Sequence, residues 1–298
     1  MSLLVLGTVA LDTVKTPHGY RKQMLGGSAT HFSMSARLFT RVHLVAVVGQ
    51  DFPQEHADFL KRKGLIVDSL IKKSGKTFNW TGEYKGDLNT AITINTELGV
   101  LACFQPIISE RQKDIKNIFL ANVDPDIQLS LLRCMHQPRL VGLDSMNYWI
   151  NNKRTALLKV LREADIFVAN DQEARSLSGE HNLIKAAKGL AKMGPEMVLI
   201  KKGEHGVFFY SEKFILMLPA YPADRVIDPT GAGDTFAGAF MGYLSRVNQV
   251  NRLNLKKAIE YGTIAASFNI EDFGVDKTHK LTLSKLNSRL NYFKKCLR

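Results

Sequence analysis

Asp228-Pro229-Thr230-Gly231-Ala232-Gly233-Asp234-Thr235 runs without a break into Phe236-Ala237-Gly238-Ala239-Phe240-Met241-Gly242-Tyr243-Leu244. Gly231, Ala232 and Gly233 carry no bulky side chain, so the backbone can turn sharply and bring its N–H groups close to a ligand. The apolar pattern that follows reads as a helix, whose first turn offers further unpaired N–H groups at the positive end of its dipole. Such a corner binds anions, phosphate above all. Asp234 does not suit a pure anion site, because its charge repels a phosphate. It suits a base that takes the proton from a hydroxyl attacking that phosphate. The plainer reading makes Asp234 a helix cap beside a glycine turn.

This segment resembles the second signature of the ribokinase-like (PfkB) carbohydrate kinases, D-T-x-G-A-G-D, and departs from it only at Pro229, where the family has Thr. Four further points of resemblance follow the family's order and span nearly the whole chain. The resemblance implies one domain over residues 1–298: a three-layer α/β/α fold with a mostly parallel sheet. It also implies a small, discontinuous β-lid at about 13–25 and 77–106. In that family Asp234 is the base, and Gly231, Ala232 and Gly233 form the anion hole.

Length and composition agree with such a fold. The 298 residues are 45% hydrophobic and 23% charged, ordinary values for a globular chain with a large core. No apolar run approaches the roughly 18 residues needed to span a bilayer. Ser2–Ala10 lacks a basic leader and reads as a first buried strand. Cys103, Cys134 and Cys296 are odd in number and lack metal-ligand spacing, which points to a reducing cytoplasm. The net charge of +12 is spread over short clusters such as Lys61-Arg62-Lys63. With no long basic run and no aromatic-interleaved signature, specific nucleic-acid binding is not expected. A positive surface also steers ATP.

Short apolar runs alternate with amphipathic stretches, which predicts βαβ units. The strands expected are Leu3–Ala10, His43–Val48, Asn117–Ala121, Leu140–Leu143, Asp165–Ala169 and Met197–Lys201. Helices are expected near Ala29–Leu38, Pro53–Arg62, Ile127–Met135, Asn152–Arg162, Leu183–Met193, Asp234–Val247, Leu255–Ile270 and Leu283–Leu297. The last of these has one apolar face (Leu286, Leu290, Phe293, Leu297), which predicts a helix docked on the sheet and not on a membrane. Residues 77–106 break the alternation with period-two patterning and glycines, so they predict strands outside the main sheet.

Individual positions extend the reading. Asp12 is expected at the C-terminal edge of the first strand, where α/β sheets bind ligands. There it is either a turn residue or an acceptor for sugar hydroxyls, and the resemblance implies the latter. Gly26 and Gly27 open a helix in the manner of the family's first signature, near the substrate. His31 stands where the family has Asn, and it either contacts a hydroxyl or packs and caps. Asn170-Asp171-Gln172-Glu173 matches the family's N-x-x-E, which implies Asn170 near the triphosphate and Glu173 organising the waters of Mg²⁺. Lys201, Gly203 and Gly206 resemble the K-x-G-x-x-G segment along the nucleotide, although Lys201 also reads as a solvated lysine. Ser267 falls in the stretch where the family binds adenine. Asp228 and Thr230 match positions that help hold K⁺ in some relatives.

The expected activity is an ATP- and Mg²⁺-dependent kinase acting on a hydroxyl of a small sugar. A nucleoside kinase of the same fold and a non-catalytic sensor are the alternatives. The intact Asp234 and Glu173 oppose the sensor. A homodimer through the lid is a further expectation drawn from relatives.

Overall fold

The computed structural model describes residues 1–86 and 88–297. Nine strands form the main sheet: β1 (Ser2–Leu6), β4 (Arg41–Val48), β5 (Ile66–Lys72), β8 (Asn117–Leu120), β9 (Leu140–Asp144), β10 (Ile166–Asn170), β11 (Met197–Lys201), β12 (Val207–Ser211) and β13 (Ile215–Leu218). Their order is β13-β12-β11-β10-β9-β8-β1-β4-β5, parallel except for the β11-β12-β13 edge. Four more strands, β2 (Ala10–Thr16), β3 (Gly19–Gly26), β6 (Asn79–Tyr84) and β7 (Ala91–Glu97), form a second sheet in the order β3-β2-β6-β7.

Strands buried on both faces need apolar residues at consecutive positions, and β1, with the sequence SLLVL, has them. Along β4, Val42, Leu44, Ala46 and Val48 join one core, while Val45 and Val47 join the other. The first core also takes α1 (Ser28–Ala36), α2 (Gln54–Arg62), α9 (Ala232–Val247), α10 (Arg252–Asn269) and α11 (Leu283–Cys296). The second takes α4 (Pro125–Cys134), α6 (Arg154–Arg162), α7 (Asp171–Ser178) and α8 (Leu183–Ala191); the short α3 (Glu110–Lys113) and α5 (Asn147–Asn152) complete the helices. This is the three-layer α/β/α fold expected.

Chain connections run in opposite directions from β1, toward β4-β5 and toward β8-β13. A crevice opens at the C-terminal ends of the strands where such directions diverge. Against it, α1 and α9 pack almost backbone to backbone. A Cβ on Gly238 would fall 2.0 Å from the Phe32 carbonyl oxygen, and Ser35 Oγ donates to the Thr235 carbonyl at 2.7 Å.

Two expected elements are divided. Leu3–Ala10 is not one strand. The chain leaves the sheet after Leu6 because Thr8 and Ser28 bond each other reciprocally, Ser28 N to Thr8 Oγ1 at 2.8 Å and Thr8 N to Ser28 Oγ at 3.1 Å. Asp12 therefore lies within β2, on the second sheet, and not at the end of the first strand. Asn152–Arg162 is likewise broken at Lys153, whose ammonium reaches Asp124 and Asp126 at 2.7 Å each.

Candidate active site

Gly231 is the N-cap of α9 and is left-handed at φ 73. Any Cβ there would lie 2.2 Å from the His31 ring, so this turn requires glycine twice over. The Ala232 amide donates to the Pro229 carbonyl at 3.1 Å, whereas the Gly233 and Asp234 amides have no carbonyl partner among the described residues. These two amides are open donors at the start of α9. Gly231, as the N-cap, makes no side-chain cap bond, and Asp234 is the acidic residue of the first turn of α9. Asp234 is reachable by solvent but surrounded by protein, and burial pushes its pKa up to about 8, with Asp144 adding to the rise and Lys201 opposing it.

Lys201 ends β11 and aims at this corner: a Cβ on Gly233 would meet its Nζ at 2.8 Å. Its ammonium pairs with Asp144 Oδ2 at 3.0 Å, and the Lys201 side chain is only 17% exposed, so it is not a solvated surface lysine. Glu173 closes a capping box on α7, accepting from the Asn170 amide at 2.7 Å while Asn170 Oδ1 accepts from the Glu173 amide at 2.8 Å. Burial and then Asp144 push the Glu173 pKa up to about 7. Three carboxylates (Asp144, Glu173, Asp234) thus surround one ammonium. That surplus of negative charge suits a divalent cation. Among the described residues no three acidic, His or Cys side chains converge closely enough to ligate a metal directly, which fits an ion held largely through water.

On the other side of the crevice, Asp12 Oδ2 accepts from the Gly27 amide at 3.1 Å, and a Cβ on Gly26 would collide with the same carboxylate at 2.0 Å. Its Oδ1 is buried without a partner. Burial, opposed by the Gly27 bond and reinforced by Asp228, raises the Asp12 pKa to about 7.

His31 lies beneath the turn before α9. Its Nδ1 donates to Asn269 Oδ1 at 3.2 Å, which also accepts Thr235 Oγ1 at 2.9 Å, while Asn269 Nδ2 donates to the Thr230 carbonyl at 2.7 Å. Burial lowers the His31 pKa to about 4, so the ring is neutral, and its Nε2 has no partner. Asp228 is fully buried, accepting from the Thr230 amide at 2.9 Å and the Gly274 amide at 3.1 Å. Thr230 Oγ1 donates to Tyr84 Oη at 3.3 Å, a contact from β6 of the small sheet to the turn before α9.

The remaining expected residues lie apart from this cluster. Gly203 and Gly206, at φ 55 and 81, make the tight turn between β11 and β12. Ser267 Oγ is satisfied within the protein: it donates to the Ile264 carbonyl at 2.7 Å and accepts from Arg289 at 3.1 Å. Arg289 itself lies 3.4 Å over the Phe268 ring and pairs with Glu271 at 2.7 Å. Asp144, Asn269, Tyr84 and Arg289 were not anticipated. Of these, Asp144 alone had a signal, a carboxylate ending an apolar strand.

Open helix-start amides, a buried acid beside them and a lysine between buried carboxylates suit phosphoryl transfer to a hydroxyl acceptor. The family model for pfkB family carbohydrate kinases matches residues 4–280, and the chain belongs to that family. It is 32% identical over 269 residues to a cytidine kinase of Thermococcus kodakarensis, covering 87% of this chain and 95% of that one. It is 30% identical over 290 residues to a ribokinase of Lactococcus lactis, covering 91% of each. An E. coli protein solved with ATP and Mg²⁺ superposes with a TM-score of 0.81 at 17% identity, over 98% of this chain and 99% of that one. The protein is a sugar or nucleoside kinase of this family, whose members use ATP and Mg²⁺. No helix among the described residues is long and apolar enough to cross a membrane.

Proposed function

We propose that the chain transfers the γ-phosphoryl group of ATP to a hydroxyl of a ribosyl acceptor, with a nucleoside as the first candidate and free ribose as the second. The observation that carries this reading is the pair of carboxylates flanking the crevice. Asp12 offers a buried, unpartnered oxygen suited to a sugar hydroxyl, and Asp234 lies close enough for the Asp12 charge to raise its pKa. The similarity to a cytidine kinase supports nucleosides as the first candidate.

In this reading Asp12 holds the acceptor against Gly26 and Gly27, and Asp234 receives the proton of the attacking hydroxyl. The Gly233 and Asp234 amides and Lys201 meet the charge on the transferred group. Each such amide donor is worth roughly 3–4 kcal/mol to the barrier. Asn170, Gly203, Gly206 and Ser267 lie along the nucleotide path, with Glu173 and Asp144 facing the Mg²⁺, which when bound neutralises phosphate charge. His31 supports the anion-hole turn through Asn269, and its Nε2 remains open to the acceptor. The buried charge of Asp228, which has no cationic partner among the described residues, supports K⁺ binding beside Thr230. The solvent-exposed edge strand β7, with Ile92 48% and Ile94 59% exposed, supports a lid-to-lid homodimer. Three free cysteines support a cytoplasmic setting.

The test is phosphate transfer from labelled ATP to cytidine, other nucleosides, ribose, hexoses and sugar phosphates. Transfer to a nucleoside or ribose is expected. Efficient use of hexoses alone would overturn the ribosyl assignment.

A further inference from the structure

A cleft outside the crevice lies at the opposite end of the main sheet, where β1 and β4 begin. It has a volume of about 680 Å³, and its wall includes Arg37, Arg41, Lys63 and Arg246 with no carboxylate. None of these four cations makes an ion pair among the described residues. Arg37 is bonded to backbone carbonyls and Lys63 lies over the Phe59 ring, but no carboxylate balances the four charges.

The plain explanation is helix capping, because α1, α2 and α9 all end here. It falls short on two counts. The terminal carbonyls are already occupied by the chain's own amides: Ser33 by Arg37, Ser35 by Leu38, Ala36 by Phe39 and Thr40, Leu60 by Lys63, and Leu244 by Asn248. Three helix ends supply roughly −0.5 charge each, about −1.5 in all, against four full positive charges. Arg37 is also fixed in place, with Nη2 donating to the His279 and Leu281 carbonyls at 2.9 and 3.5 Å while its Nε has no acceptor. The Lys63 ammonium is pulled below its usual pKa by burial and by Arg37, Arg62 and Lys280, so it too lacks a counter-charge.

We propose that this cleft is a second binding site, separate from the active site, for a small phosphate-bearing anion. The exposed guanidinium groups of Arg41 and Arg246 supply the forked donors that match phosphate oxygens. The volume falls within the roughly 300–1,000 Å³ usual for small-molecule sites, and the concave shape suits a small phosphorylated molecule better than a nucleic-acid strand.

The test uses ¹⁵N-labelled protein at physiological ionic strength without Mg²⁺, titrated with inorganic pyrophosphate and, separately, with AMP. The amides of Leu38, Thr40 and Gly64, which the variant below leaves unchanged, report this cleft independently of the active site. Arg41 and Arg246 are exposed, so the double variant Arg41→Glu/Arg246→Glu is expected to melt like the parent and retain its kinase activity. Saturable shifts at these amides, weakened at least about tenfold in the double variant, are the expected result. Equal response to pyrophosphate and AMP would show that phosphate alone is read, and a stronger response to AMP that a phosphate ester is. No saturable shift up to about 10 mM of either anion, shifts unchanged in the double variant, or a response to poly(U) RNA alone would overturn the proposal.

Discussion

The two sheets of this protein are built on different terms. Central strands of the main sheet are sealed on both faces by helices, and their side chains are almost all buried. In the four-stranded sheet β2 is almost wholly buried, whereas every residue of β7 is exposed. This sheet reaches the turn before α9 through the hydroxyl bond from Thr230 to Tyr84 and through the packing of Val14 and Tyr84 against Ile227 and Phe273. The groups proposed to act on the phosphates, Asp234 with Lys201, Asp144 and Glu173, stand on the sealed sheet and its helices, while Asp12, the proposed acceptor contact, stands on the four-stranded one. Chemistry needs groups held to a fraction of an ångström, and acceptor entry needs a part that moves. We propose that the difference in burial divides these two demands between the two sheets.

The largest expected effect lies on the sealed side. Asp234→Asn keeps the size of the side chain and removes the proton acceptor, so kcat should fall roughly 10²–10⁴-fold. Initial rates at saturating ATP check this, and a parent-like rate would erase the distinction between the sheets. Asp12→Ala, on the four-stranded sheet, should lower kcat/KM for the acceptor by roughly 10–150-fold, the equivalent of about 1.5–3 kcal/mol for a hydrogen bond to a charged group. KM for ATP should hardly change; equal losses for both substrates would place Asp12 outside acceptor binding.

Stability should separate the regions by pH. Asp12 and Glu173 have pKa values raised to about 7 and Asp234 to about 8. The folded chain therefore keeps protons that the unfolded chain releases near pH 4. Between about pH 4 and 8 each rise in pH favours unfolding, so Tm should fall across that window. The decline should be shallower in Asp234→Asn, as melts in a pH series would reveal. The smallest effect is expected for Tyr84→Phe. Losing one neutral hydrogen bond, about 1 kcal/mol, should raise acceptor KM several-fold and speed hydrogen exchange in residues 79–97 while leaving α9 unaffected.

Much of the site was legible because its residues are contiguous. The turn at Gly231-Ala232-Gly233 and the Asn170–Glu173 box carry their geometry in local spacing. Asp144, Asn269 and Tyr84 are single residues brought in by tertiary convergence, and no neighbour marks them. The break after Leu6 was hidden for a related reason: Ser2–Ala10 reads as one apolar run, and the Thr8–Ser28 pair that ends it joins residues twenty apart. The edge strands β12 and β13 and the outer strand β5 went unanticipated. They are short or only partly buried, so their patterning is weaker than that of β1 or β10.

The central claim is that Asp234 is the base and is held protonated by burial until pH approaches 8. The most direct measurement is the pH profile of the transfer rate at low concentrations of both substrates, where the rate follows the ligand-free enzyme. The rate should climb about tenfold per pH unit below the Asp234 pKa and level off near pH 8, and Asp234→Asn should show a low residual rate without that climb. A parent profile that is flat from about pH 6 to 8.5, across the titration range of such a base, would contradict the account.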